Sequence, residues 1–253
     1  MATAATVNTV LSGEMEASAT YLEDSRLEVE ELAAVKAELE QVRAQLYGVL
    51  EGARTAFSAE NGVVRALAEA EQIDEVADSL LDVLCEAFDF DVATFWLLDP
   101  EDEKLLAIAH HQAPTRRARF LEKAIRSLQL SVNEGIAGRV FVEREEFLSD
   151  DALSVSHPEL ASLLGADGLH TVCAFPVSGS GAPLGVIEME RREPLRPDQA
   201  IESAVRVIGD RIGIFIEHSQ LRWRYFSLVG DLRRKSVDHS EQNSSVIPFE
   251  RAA

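Results

Sequence analysis

Four histidines, two cysteines and a glycine-marked turn are the parts of this chain best equipped for chemistry. His110 and His111 are adjacent in a segment that reads as a strand, so alternation sends them to opposite faces. His157 and His170 flank the region that follows. An imidazole in a pocket can hold haem iron, and at a strand end it serves equally as a hydrogen-bonding group. Cys85 and Cys173 lie in the apolar stretches "LLDVLCEAF" and "HTVCAF". That is the pattern of buried free thiols in a reducing compartment, not of a disulfide framework. The run "GIAG" from Gly135 to Gly138 opens a helix, and backbone amides there could face an anion. Glu134, immediately before it, opposes that charge, and a tight turn with close packing explains both glycines as well. Arg116, Arg117 and Arg119 either meet a carboxylate or phosphate at a pocket mouth or solvate a helix start. No Ser-His-Asp set, metal-ligand spacing or phosphate loop is legible.

The formal net charge is −20, and such a surface repels phosphate backbones, which excludes a general nucleic-acid role. No apolar run reaches the ~18 residues of a membrane span. The first residues carry no basic segment or long apolar core, so a secretory signal is not expected. The chain is therefore expected to be soluble and cytoplasmic.

The elements that must position these residues follow from periodicity. Residues 1–22 are rich in Ala, Thr and Ser without a sustained period, and are expected to form a disordered leader. In 23–60, Leu32, Val35, Leu39, Val42, Leu46 and Val49 recur at alternating steps of three and four. That narrow stripe is what a helix pair buries, so a coiled coil and a homodimer are expected; a helix packed on its own domain is the other reading. Asn61-Gly62 is expected to interrupt the helix. A domain over 61–220 follows. It reads as a helix with Ile73, Val76, Leu80, Leu84 and Phe88 on one stripe, then a hairpin of strands 92–98 and 104–111. A helix carrying Phe120 and Leu121 comes next, then the glycine turn, a short strand 146–149 and a short helix 158–164. Strands 169–177 and 183–190, joined by a Gly/Ser loop, precede a closing helix that Asp198 can cap. The closing helix is expected to extend over 221–236, where Arg222, Arg224, Arg233, Arg234 and Lys235 interleave with Trp223, Tyr225 and Phe226. That cluster suits a membrane surface, an acidic partner or the outer face of a dimer helix. Residues 237–253 read as a disordered tail. The fold class is α+β: an antiparallel sheet with helices on both faces.

Three stretches, "IDEVADSLLDVLCEAFDFDVATFWLLDPEDEKL", "LSVNEGIAGRVFVEREEFLSDD" and "LHTVCAFPVSGSGAPLGVIEMER", in this order resemble the GAF domain family over Val63 to Ser219. A PAS domain also sets helices on an antiparallel sheet, but the segment from Ser131 to Glu193 fits it less well. The resemblance implies terminal helices on one sheet face and a ligand pocket on the other, under the excursions. Members commonly bind cyclic nucleotides, tetrapyrroles, haem or small metabolites; others only dimerise. The cyclic-nucleotide motif is mostly missing: Glu190-Arg191-Arg192 stands where Asn-Lys is usual, Leu195 near the expected Phe, and Asp198-Gln199 near the Asp-Glu pair. The second excursion has His157 but no cysteine, so a covalent bilin has no attachment point there. Neither Cys85 nor Cys173 matches the cysteine-bearing loops of GAF-type methionine sulfoxide reductases. The expected function is non-enzymatic signalling: a small-molecule sensing or regulatory domain relaying through dimeric helices to a partner protein. A ligand-free dimerising scaffold and a haem-based gas or redox sensor are the alternatives. Phe120, Cys173, Phe175, His110 and His157 are the expected pocket residues, and the ligand itself is not legible.

Overall fold

The computed structural model describes residues 2–115, 117–125, 127–194 and 200–221, with side chains from Leu32 onward. Contacts divide the chain into two compact units, Met1–Glu51 and Gly52–Ala253. The first is helical throughout: helix α1 runs over Ala2–Glu69. The expected disordered leader is thus helical from Ala2. Its text mixes Ala with Thr and Ser and carries no apolar period, but periodicity reports packing, not helicity. The expected break at Asn61-Gly62 is also absent. Asn61 Nδ2 donates back to the Phe57 carbonyl at 2.9 Å, and Gly62 lets the helix pass against Val83. Ala59, Val63 and Leu67 are buried, so the last turns of α1 are part of the core of the second unit.

That unit continues with α2 (Ile73–Phe88), β1 (Val92–Asp99), β2 (Lys104–Gln112), α3 (Arg119–Ile125) and β3 (Gln129–Ser131). Next come α4 (Gly135–Glu143), β4 (Phe147–Ser149), α5 (Ala152–Val155), α6 (Pro158–Asp167), β5 (Thr171–Ser178) and β6 (Pro183–Arg191). A last helix, α7, occupies 200–221. The Asp198 cap and the segments 221–236 and 237–253, apart from Leu221, lie outside the described residues, as do Arg116 and Leu195. Among the described residues no helix is long and apolar enough to cross a membrane.

The strands form one antiparallel sheet in the order β3-β2-β1-β6-β5-β4. Strand β3 was not legible in the sequence, because three residues with one buried leucine carry no alternation. The sheet has helices on both faces. On one face Ala93, Phe95, Cys173, Phe175, Ile187 and Met189 pack with the end of α1, with α2 and with α7. On the other, Val92, Trp96, Val172, Ala174 and Val186 pack under the helices of the excursions. Strands β1, β5 and β6 are therefore covered on both sides, as their continuous apolar text requires.

Helix ends follow local chemistry. Glu75 Oε2 accepts from the backbone N–H groups of Glu71 and Gln72 and closes the start of α2. Pro158 opens α6 behind His157, and Gly168, at φ +72°, ends it. Asp167 Oδ2 accepts from the N–H groups of Phe120 and Leu121, so the end of α6 caps the start of α3. Helix α7 lies so close to β5 that a Cβ on Gly209 would strike the Pro176 carbonyl, and one on Gly213 the Ser178 carbonyl. Glu217 then accepts from Ser180 N and Oγ at 2.9 and 3.0 Å, tying the β5–β6 loop to α7. We expect Gly213→Val to destabilise the second unit by about 1–3 kcal/mol or more through this overlap. Urea denaturation followed by circular dichroism measures it, and an unchanged midpoint contradicts the close helix–strand contact.

Candidate functional site

Strand alternation builds the site. Glu188 and Glu190 are two apart on β6 and share the face beneath the excursions, roughly 7 Å apart along the strand. In register, Glu188 lies beside Thr94 of β1 and Ala174 of β5, and Glu190 beside Val92 and Val172. His110 of β2 completes the first row, opposite Thr94. Both carboxylates are buried, at 2% and 4% exposure. Helix α4 packs against β5 and β6, and its buried residues are Ile136, Ala137, Gly138 and Val140. Two acids thus stand on an apolar sheet face beneath an apolar helix face.

Their hydrogen bonding is uneven. Trp96 Nε1 donates to Glu188 Oε2 at 2.9 Å. Glu190 Oε2 is buried and has no hydrogen-bond partner. Arg192, next on the same face, sends its guanidinium to Asp91 Oδ2 at 3.0 Å, the Asp167 carbonyl at 3.1 Å and the Arg117 carbonyl at 3.3 Å. It stitches the excursions to the end of β6. Burial raises the carboxyl pKa of Glu188, with the Trp96 bond opposing it. Burial raises Glu190 further, and the Glu188 charge adds to this.

A second polar chain runs beside the acids. Gln112 Oε1 accepts from Ala118 N at 3.0 Å, Gln112 Nε2 meets His110 Nε2 at 3.1 Å, and His110 Nδ1 meets Thr94 Oγ1 at 3.0 Å. The amide fixes the direction: Nε2 of His110 accepts and Nδ1 donates. Both ring nitrogens are engaged, so His110 does not fit as an axial ligand to haem iron. His111 faces the other way and pairs with Asp82 of α2 at 3.3 Å.

Of the five expected pocket residues, only His110 shares the sheet face with the acid pair. Cys173 and Phe175 lie on the opposite face, in the core against the terminal helices. Their strand was read correctly, but which parity faced the excursions was assigned the wrong way round. Phe120 is 58% exposed on α3; the inward residues of that helix are Leu121 and Ile125. His157 is half-buried at the start of α6, where Nδ1 accepts from Glu159 N at 3.4 Å beside Gly135. The residues missed were Thr94, Trp96, Glu188 and Glu190. The available signal was two glutamates at alternate positions of a strand that is otherwise apolar.

The glycine turn is a packing device. Glu134 Oε2 accepts from Ser131 N at 3.0 Å, and this bond is the main cause holding its carboxylate below the usual range. Gly135 has φ +65°, and a Cβ on Gly138 would lie 2.8 Å from the Ser131 carbonyl. A folded-back carboxylate at this point leaves no anion cradle. The thiols are inert by the same standard. Burial pushes Cys173 up to about 12, with Glu202 and Glu146 adding to it, and burial likewise raises Cys85, ahead of Glu190, Asp82 and Asp91. Among the described residues no group of three or more His, Cys, Asp or Glu could hold a metal ion.

A buried acid with a raised folded-state pKa contributes stability that is fully present below its unfolded value, near 4.5, and lost as pH rises through the folded value. Wild type should therefore lose more stability than Glu188→Gln/Glu190→Gln between about pH 5 and pH 8. At pH 8, where wild type carries charge on the buried pair and the double variant carries none, the double variant should be the more stable. Parallel pH profiles in chemical denaturation would contradict the burial of charge.

No curated protein matches this chain. In the solved structures, it is similar to the GAF domain of a phosphoenolpyruvate-protein phosphotransferase from Coxiella burnetii (19% identity, TM-score 0.57, covering 68% of this chain and 98% of that one). The corresponding domain from Acinetobacter gives 16% identity and a TM-score of 0.54 over 67% of this chain and 97% of that one. A free methionine-R-sulfoxide reductase from Neisseria meningitidis, solved with its substrate, gives 14% and 0.54 over 67% and 93%. At these identities the likeness speaks for the fold alone. The family model described as GAF domain matches residues 70–217, more than half of the chain. With the helix-covered antiparallel sheet and its excursions in place, this chain belongs to the GAF domain family.

Proposed function

We propose that this protein is a non-enzymatic regulatory GAF protein of the cytoplasm. It works as a homodimer and relays the state of its sheet face through helices to a partner protein. The observation that carries this reading is the uncovered seam of α1. Leu32, Val35, Leu39, Val42, Leu46 and Val49 are all exposed, and they repeat at heptad spacing. A helix does not keep so regular an apolar stripe in water without burying it, and a second copy of the same helix supplies the complementary surface. Two buried free cysteines agree with a reducing compartment.

Relay needs a link between the excursion face and a helix. Strand β5 supplies one: it pairs with β6, and α7 lies against its backbone at Gly209 and Gly213. A ligand that favours one arrangement of the sheet would bias α7 by its difference in affinity for the two arrangements and by no more. Catalysis has no support in the thiols, which burial holds protonated.

Light scattering at micromolar concentration should give the mass of a dimer for wild type. Leu39→Asp/Leu46→Asp should give a monomer whose second unit still unfolds cooperatively. A monomeric wild type overturns the dimer, and a dimeric double variant moves the interface away from α1.

A further inference from the structure

The geometry points to a recognition site for a protonated nitrogen, a primary ammonium or a guanidinium on a small organic molecule, at Glu188 and Glu190 beneath α4. This rests on the sensory reading above and gives it a ligand class. Three observations carry it.

The first is placement. Two carboxylates two residues apart on a central strand point to one face, and that face is buried. A sheet can satisfy its packing there with valine or alanine, as it does at Val92, Val172, Ala174 and Val186 on the same face. Replacing buried ionic groups by apolar ones is commonly neutral or stabilising, so stability does not account for the pair.

The second is the unmet bond. Glu190 Oε2 is enclosed and has no donor, and its residue is only 4% exposed. Its neighbours cannot supply one. Val92 and Val172 flank it in the sheet, and Ile136, Ala137 and Val140 are the buried side chains of the covering helix. The only charged residue of α4 besides the terminal Glu143 is Arg139, which bonds Glu143 at 2.9 Å and stacks on Phe147. On β6 itself, Arg192 directs its guanidinium to Asp91, Asp167 and Arg117. Arg191 alternates to the opposite face, where it pairs with Asp89 at 3.3 Å beside Phe90 and its Nε stays without a partner, so that donor does not answer Glu190. From β1 and β2 come Trp96, committed to Glu188, and Thr94, bonded to His110.

The third is charge. Burial and mutual repulsion hold the pair toward its protonated form, and one cation between them would favour the ionised pair and supply the missing donor. A guanidinium or ammonium carries several N–H groups, enough to meet Glu190 Oε2 and the remaining acceptor lone pairs of Glu188 together. A phosphate or carboxylate would meet repulsion at the same place. The ligand is thus a base.

The test uses the full chain with benzylamine and methylguanidine as probes, and benzyl alcohol and benzoate as neutral and anionic counterparts, at pH 8 and constant ionic strength. The expected result is a saturable rise in Tm with at least one cationic probe at millimolar concentration. The neutral and anionic counterparts should give none, and Glu190→Gln should reduce the apparent affinity at least tenfold. A second readout does not depend on the variant: in ¹⁵N spectra of wild type the Trp96 indole N–H, bonded to Glu188, should shift along the same titration. Cationic probes that act alike on wild type and Glu190→Gln, or that leave the Trp96 signal in place, overturn the proposal and make the pair a sealed core feature. A dimer by light scattering would survive that result, so the two failures are distinguishable.

Discussion

Strand β6 lies between β1 and β5 with helices over both of its faces, so each of its side chains must find a place in one of two cores. Ile187 and Met189 enter the core shared by α2 and α7. Val186, Glu188 and Glu190 turn the other way, and two of those three are acids. The bond from Trp96 to Glu188 answers one of them inside the sheet. Glu190 keeps a carboxylate oxygen with no donor. A buried acid oxygen without a partner is costly, and burial answers part of that cost by raising the acid's pKa. The account of what this domain recognises follows from that one unanswered atom.

The two sheet faces divide the labour. The terminal helices fill one face with large apolar side chains and come within backbone contact of β5 at Gly209 and Gly213. The excursions cover the other face, anchored by Arg192 and Asp167 at the end of β6. The strands beneath α4 include β5, which α7 touches directly, and this is the route the proposed relay would take. Packed interfaces of this kind are bistable more readily than they are elastic, which suits the proposed relay between two helix arrangements.

Much of the fold was legible in the sequence because it rests on patterns with a period. The broad stripe of α2, the hairpin 92–111 and the last two strands appear where their alternation and turn residues place them. The features without a period were lost: β3 is too short to alternate, and the helix from Ala2 has no sustained apolar repeat over its first turns. Gly62 looked like a stop and is a contact, because a glycine in sequence does not distinguish a break from a close approach. The site was less legible for a related reason. Alternation says that Cys173 and Phe175 share a face, but only the covering helices say which face that is. Attention to histidine and cysteine, the residues richest in chemistry, also passed over two glutamates whose importance comes wholly from burial.

Native mass spectrometry of the full chain purified from its source tests the central claim most directly. The account predicts the mass of two chains together with a retained basic small molecule that Glu188→Gln/Glu190→Gln fails to retain. A single-chain mass, or a bound molecule that is anionic or stays with the double variant, would contradict it.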